Sequence, residues 1–148
     1  MKSYSQRDPS WANIKIGNSN LTIGRFGCTL TSIADLSTYF RDFLTPLAVR
    51  NICKFTPNGL LIWESCVFEN FRFESREYGR FDHNIQQALK DPDRAVILQV
   101  ANGSHWVVAT GKPLFGNKYK IADPWLGDFT DMSRYGNNIT GAAYFKRI

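Results

Sequence analysis

The chain has 148 residues, of which 43% are hydrophobic and 14% aromatic, and its formal net charge is +5. This length is typical of one domain, and the apolar content excludes an intrinsically disordered chain. No apolar run approaches the roughly 20 residues that span a bilayer. We expect one globular domain over residues 1–148.

The basic side chains are spread along the chain rather than gathered in a run or a dense stripe. Segment 71–81 alternates arginines with aromatic residues, a combination found on surfaces that stack nucleic-acid bases. Glu74 and Glu77 interrupt it, and its period of two is equally typical of a half-buried strand. We therefore expect no nucleic-acid partner. Residues 1–6 lack the pattern of a secretory leader, so we expect a protein that is cytoplasmic or carried within a larger assembly.

The first predicted helix begins at Cys28, directly after the glycine-rich segment 21–27, and covers about residues 28–43. A helix N-terminus carries unpaired N–H groups and a partial positive charge, which favour a thiolate. Gly27 allows a sharp turn and leaves one side open to a substrate. Cys28 is thus a candidate nucleophile, although a buried cysteine that packs as a small hydrophobe fits the same position.

Capping and turn residues place the next helices. Thr45 and Pro46 predict the N-cap and first residue of a helix near 46–54. The run 60–70 is ambiguous between helix and strand, and the glutamates within it favour a helix.

The second half of the chain is predicted to be mainly strands. Asp82 predicts the N-cap of a helix over 83–90, which places His83 in an exposed first turn. Helices followed by an antiparallel sheet predict an α+β fold. The strands are expected at about 95–100, 105–111, 117–122 and 142–147.

His105 begins one predicted strand, and Asp123 directly follows the next one. If these two strands pair as a hairpin, both residues lie at the same end of it, where a carboxylate can orient an imidazole. With Cys28 they form the order nucleophile, base and orienting acid. Asp123 before a proline is also typical of an ordinary turn.

The other two cysteines, Cys53 and Cys66, lie in apolar surroundings and are predicted to be core thiols, which fits a reducing environment. The sequence has no Cys-x-x-Cys motif and no Cys/His cluster with metal-ligand spacing. We expect neither a structural zinc nor another cofactor.

Four short segments occur in an informative order: Tyr4-Ser5-Gln6-Arg7-Asp8-Pro9-Ser10-Trp11, Thr22-Ile23-Gly24-Arg25-Phe26-Gly27-Cys28, Gly103-Ser104-His105-Trp106-Val107-Val108 and Asp123-Pro124-Trp125-Leu126-Gly127. On these segments the sequence resembles the bacteriocin-leader-peptidase-like branch of the papain-fold cysteine peptidases, and the similarity covers nearly the whole chain.

The resemblance implies a papain-like fold, in which a helical lobe packs on an antiparallel sheet. It implies that Cys28 attacks a carbonyl, that His105 acts as general base and then acid, and that Asp123 orients His105. Gln6 matches the glutamine that helps to form the oxyanion hole in the family. A polar residue in a mobile N-terminal segment is the alternative interpretation of Gln6.

The sequence departs from the family directly after the cysteine. Many relatives have glycine and proline there, whereas this chain has Thr29 and Leu30. The departure affects the expected first helical turn and the subsite beside Cys28, but it removes no catalytic group.

Three functions are compatible with these residues. The first is a cysteine peptidase that hydrolyses a peptide or isopeptide bond in a peptide or protein substrate. The second is a lysin-like hydrolase of bacterial or phage origin that uses the same triad on peptidoglycan peptides. The third is a papain-fold module that binds peptides without catalysis. The presence of Cys28, His105, Asp123 and Gln6 together favours catalysis over the third.

Overall fold

Six antiparallel strands and four α-helices are present in residues 1–113 and 115–148, the part of the chain that the computed structural model describes. The strands lie in the order β1-β6-β2-β3-β4-β5. The predicted α+β class is confirmed. The elements are α1 (Ile23–Phe26), α2 (Cys28–Tyr39), α3 (Pro46–Ile52), β1 (Phe71–Tyr78), α4 (Asp82–Lys90), β2 (Arg94–Val100), β3 (His105–Gly111), β4 (Lys120–Asp123), β5 (Asp128–Asp131) and β6 (Gly141–Arg147).

The two faces of the sheet are covered by different helices. Side chains of alternate residues point to opposite faces of a strand, so Val108 joins the core beneath α2 whereas Val107 joins the core beneath α4. Nine of the twelve residues of α2 are buried, whereas α4 buries only Ile85 and Ala88. Helix α2 is therefore the central helix of the fold.

Helix α2 begins at Cys28 as predicted but ends at Tyr39 rather than near residue 43. Arg41 and Phe43 have φ values of 70° and 51°, which a right-handed helix cannot accommodate. Gly27 has an ordinary φ of −87°, so its role is not a special backbone conformation. A Cβ atom at Gly27 would lie 2.5 Å from the carbonyl oxygen of Ile23, and this close approach requires glycine.

Helices α3 and α4 lie close to their predicted positions. Thr45 caps α3 by accepting a 3.2 Å hydrogen bond from the backbone N–H of Ala48. The predicted cap of α4 was wrong, because Asp82 lies inside the helix and accepts a 2.6 Å hydrogen bond from the hydroxyl of Tyr119 instead. His83 is exposed in the first turn, as expected.

The predicted helix over 60–70 was wrong. The segment contains only a short 3₁₀ turn, Trp63–Ser65, and isolated bridges pair Phe55 with Leu61 and Val67 with Arg72. Its apolar residues do not form one buried face, since Leu60 is 65% exposed. Strand β1 follows this segment, and its first residue, Phe71, is fully buried.

The predicted hairpin is confirmed. Strands β3 and β4 pair antiparallel, with Ala109 opposite Ile121. The next strand, β5, was not predicted; it has only four residues and continues the sheet beyond β4. The hairpin places His105, the first residue of β3, and Asp123, the last residue of β4, at the same end of the two strands.

Cys53 and Cys66 are buried, as predicted, and their Sγ atoms lie 3.3 Å apart. The hydrogen bond with Cys53, together with burial, raises the pKa of the Cys66 thiol. None of the described helices has the length and apolar character needed to cross a membrane. Residues 1–113 and 115–148 also hold no group of three or more histidine, cysteine or acidic side chains arranged to bind a metal ion.

Candidate active site

Cys28 is the first residue of α2 and retains 8% of its surface. One turn further along the helix, the hydroxyl of Ser32 donates a 3.4 Å hydrogen bond to the carbonyl oxygen of Trp106 in β3. This hydrogen bond connects α2 to β3 at Trp106, the residue directly after His105. The N-terminus of the helix and the start of β3 therefore meet on one side of the sheet.

His105 and Asp123 are in direct contact. Nε2 of His105 lies 2.8 Å from Oδ1 of Asp123, and the side chains are 12% and 1% exposed. Because Nε2 faces the carboxylate, Nδ1 is the ring nitrogen left for another partner. The two residues lie at the ends of neighbouring strands, as the hairpin predicts.

The thiol of Cys28 is close enough to His105 to influence the pKa of its imidazole. Burial alone lowers the pKa of the imidazole, but hydrogen bonds with Asp123 and Cys28 and the charges of both groups outweigh burial and raise the pKa to about 9. A protonated imidazole between a thiol and a carboxylate is suited to form a thiolate–imidazolium pair. The structure thus brings Cys28, His105 and Asp123 to one place, with a direct contact of 2.8 Å between His105 and Asp123.

Asp123 is fully buried, and both of its carboxylate oxygens accept hydrogen bonds. Oδ1 accepts from His105 and from the backbone N–H of Trp125 at 3.0 Å. Oδ2 accepts from Arg134 Nη1 at 3.0 Å and from the hydroxyl of Tyr135 at 2.5 Å. Burial raises the pKa of Asp123, but these hydrogen bonds prevail and hold the pKa well below its ordinary value. The carboxylate is therefore charged and fixed in position.

Arg134 and Tyr135 are functional candidates that the sequence did not reveal. Both belong to a 3₁₀ turn, Met132–Tyr135, that follows β5. Arg134 bridges Asp123 and Asp128, and the ring of Tyr135 lies 5.4 Å from that of His105. No motif marks them, because they reach the site only through the pairing of β5 with β4.

Gln6 is 1% exposed, so the alternative of a mobile N-terminal residue was wrong. Its backbone N–H donates to the carbonyl oxygen of Pro124 at 2.7 Å, beside Asp123. Its side-chain Nε2 donates to the carbonyl oxygen of Gly24 at 3.3 Å, four residues before Cys28. The second N–H of this amide is left for another acceptor, and Oε1 has no partner among the described residues.

Two concave surfaces adjoin these residues. An open depression of about 250 Å³ is lined by His105, Trp125 and Tyr135. A second, apolar pocket of about 160 Å³ has Gly27 and Thr29 in its wall, directly beside Cys28. Thr29, the residue that departs from the family pattern, thus lines the surface next to the thiol. A larger cavity of about 310 Å³ lies towards the other end of α2 and touches none of the predicted site residues.

His83, the second histidine of the chain, is exposed on α4, away from Cys28. Comparison of the chain with protein-family models and with curated proteins gave no match.

Proposed function

We propose that the protein is a papain-like cysteine peptidase that hydrolyses a peptide or isopeptide bond. One observation carries this proposal: His105 contacts the carboxylate of Asp123 at 2.8 Å, and both this carboxylate and the thiol of Cys28 raise the pKa of the imidazole. The central helix α2, with a cysteine at its N-terminus and packed on an antiparallel sheet, supports the papain-like fold.

The first half of the proposed reaction forms an acyl-enzyme. The thiolate of Cys28 attacks the carbonyl carbon of the substrate, and the carbonyl oxygen becomes an oxyanion. The backbone N–H of Cys28 and the side-chain amide of Gln6 donate hydrogen bonds to that oxygen. The imidazolium of His105 then gives its proton to the leaving amine, the C–N bond breaks, and a thioester to Cys28 remains.

The second half restores the enzyme. Neutral His105 accepts a proton from a water molecule that attacks the thioester, and the resulting imidazolium is stabilised by Asp123. The C–S bond then breaks, and the carboxylic acid product leaves. Arg134 and Tyr135 keep Asp123 ionised and fixed throughout, because both donate to the oxygen that does not face His105.

The proposal is tested with two substrate pools, a set of proteome-derived peptides and a set of peptidoglycan fragments. New peptide termini are identified by mass spectrometry, with the Cys28→Ala protein as the control. Cleavage by the native protein alone supports the peptidase, and the pool that is cleaved distinguishes a peptidase of proteins from a hydrolase of wall peptides. Binding without cleavage in either pool contradicts catalysis and favours the peptide-binding module.

A further inference from the structure

Three exposed arginines lie over aromatic rings around the candidate site, and we call them the rim arginines. Their guanidinium carbons lie 4.9 to 5.5 Å from the ring centroids. The pairs are Arg7 over Trp125, Arg25 over Phe26, and Arg76 over Trp63.

Two of these rings line the concave surfaces of the site. Trp125 lines the open depression beside His105. Phe26 lines the apolar pocket beside Cys28. Arg7 and Arg25 are thereby held at the edges of two surfaces that adjoin the reacting groups.

The third ring, that of Trp63, contacts the site indirectly, through Trp106. The ring of Trp63 lies 5.2 Å from that of Trp106, the residue after His105. Arg76 also lies 4.5 Å from the ring of Tyr78, so two rings hold its guanidinium. Strands β1 and β3 are three strand spacings apart, and Arg76 lies level with Val108, three residues along β3 from His105, so the backbones of Arg76 and His105 are about 17 Å apart.

The rim arginines differ from the ion-paired arginines in their charged partners. Within the described ranges, the guanidinium groups that form ion pairs are those of Arg80, Arg94, Arg134 and Arg147. The rim arginines form no ion pair with any residue in 1–113 or 115–148. An aromatic ring holds a guanidinium in place without using its N–H donors, so these donors stay free for a ligand.

We propose that the site takes an acidic peptide, whose carboxylates are bound by Arg7, Arg25 and Arg76 on different sides of the scissile bond. This inference names the substrate class of the proposed peptidase and rests on that function. Carboxylates are the expected ligands, because a guanidinium binds them through two parallel hydrogen bonds. An extended peptide covers the distance to Arg76 in about five residues. The rim arginines are specificity-determining residues.

The test measures binding rather than turnover, with Cys28→Ser protein and a fluorescent decapeptide of alternating glutamate and glycine as the probe. A peptide with glutamine in place of glutamate is the neutral comparison. We expect the acidic peptide to bind more tightly, and R7Q/R25Q/R76Q to weaken its binding roughly tenfold, measured by fluorescence anisotropy. The control R41Q/R72Q/K90Q removes the same charge from exposed residues elsewhere and should change the affinity less than about twofold.

Each other result overturns the inference. If both triple variants lose the same affinity for the acidic peptide, the peptide is attracted only by the net charge of the protein. If the neutral peptide binds as tightly as the acidic one, the site does not recognise carboxylates. Tighter binding of a single-stranded oligonucleotide than of the acidic peptide assigns the rim arginines to nucleic acid.

The assay also separates this inference from the proposed function. Binding that depends on the rim arginines, in a protein that cleaves no peptide, contradicts only the peptidase. Cleavage of neutral peptides, in a protein that does not bind the acidic probe, contradicts only the substrate class.

Discussion

The carboxylate of Asp123 contacts Nε2 of His105 at 2.8 Å. Nδ1 is therefore the ring nitrogen left for a second partner, which in the proposed mechanism is the thiol of Cys28. This arrangement depends on the β3–β4 hairpin, which brings together two residues that are 18 positions apart in the chain.

The first prediction concerns the electrostatic effect of Asp123 on His105. Asp123→Asn removes a buried negative charge but keeps an oxygen that can face the imidazole. We expect the pKa of His105 to fall from about 9 towards its ordinary value of about 6.5. Titration followed by NMR of the imidazole signals measures this change.

His83, which is exposed on α4, supplies the second set of imidazole signals in these spectra as an internal reference. An unchanged pKa of His105 would show that Asp123 does not stabilise the imidazolium.

The second prediction concerns Gln6. Gln6→Ala removes a donor from the proposed oxyanion hole, so turnover of a peptide found in the substrate screen should fall roughly 100- to 1000-fold. The KM value should change much less than kcat, because the oxyanion forms only in the transition state. Steady-state kinetics measures both.

Since Gln6 is buried, its replacement also costs stability, and thermal unfolding must show that the variant is folded at the assay temperature. A folded Gln6→Ala protein with native turnover would remove Gln6 from the mechanism.

The third prediction concerns the turn before α2. In Gly27→Ala, the new Cβ atom would lie 2.5 Å from the carbonyl oxygen of Ile23, so the start of the helix must shift. We expect a loss of about 1 to 3 kcal/mol in the free energy of unfolding and slower alkylation of Cys28. Gly111→Ala is the matched control, because its nearest neighbour is a side-chain atom 4.0 Å away. If Gly27→Ala and Gly111→Ala lowered the free energy of unfolding by similar amounts, the role of the close approach at Gly27 would be contradicted.

The fourth prediction concerns Asp35, a fully buried residue of α2. Oδ1 accepts a 2.7 Å hydrogen bond from the backbone N–H of Tyr4, and Oδ2 has no partner among the described residues. Burial raises the pKa of Asp35 to about 8, and the Tyr4 hydrogen bond and the charge of the N-terminal amine only partly oppose it. The folded protein thus binds this proton more tightly than the unfolded chain.

The sign of the pH dependence follows from this shift. The protonated carboxyl stabilises the fold fully below the unfolded pKa of about 3.9, and that contribution is lost as the pH rises through about 8. Asp35→Asn keeps the acceptor for Tyr4 and cannot ionise. Above about pH 8, urea unfolding should show that the free energy of unfolding of Asp35→Asn is higher than that of the native protein by about 2 kcal/mol or more. If the free energies of unfolding of the two proteins changed in parallel between about pH 5 and pH 9, the raised pKa of Asp35 would be contradicted.

Much of the fold was predictable because the signals were local. β-branched runs marked β2 and β3, and Thr45 with Pro46 marked the start of α3. The hairpin then placed His105 beside Asp123. These predictions needed only periodicity, capping and the pairing of neighbouring strands.

The errors and omissions lie where contacts between residues distant in the sequence determine the structure. Residues 60–70 are apolar yet partly exposed, and their conformation depends on short bridges rather than on one buried face. Arg134 and Tyr135 reach Asp123 only because β5 extends the sheet. Gln6 was placed at the site by the family resemblance alone, because its backbone hydrogen bond to the turn after β4 follows from no local pattern.

The central claim, that His105 activates Cys28, is tested most directly by alkylation of the native protein with iodoacetamide between about pH 5 and pH 9. Peptide mapping identifies the modified cysteine, and the buried Cys53 and Cys66 serve as internal references. We predict rapid labelling of Cys28 below neutral pH and its loss in His105→Ala. Labelling of Cys28 only as the pH approaches about 8.5, the ordinary value for a thiol, would contradict an activated nucleophile.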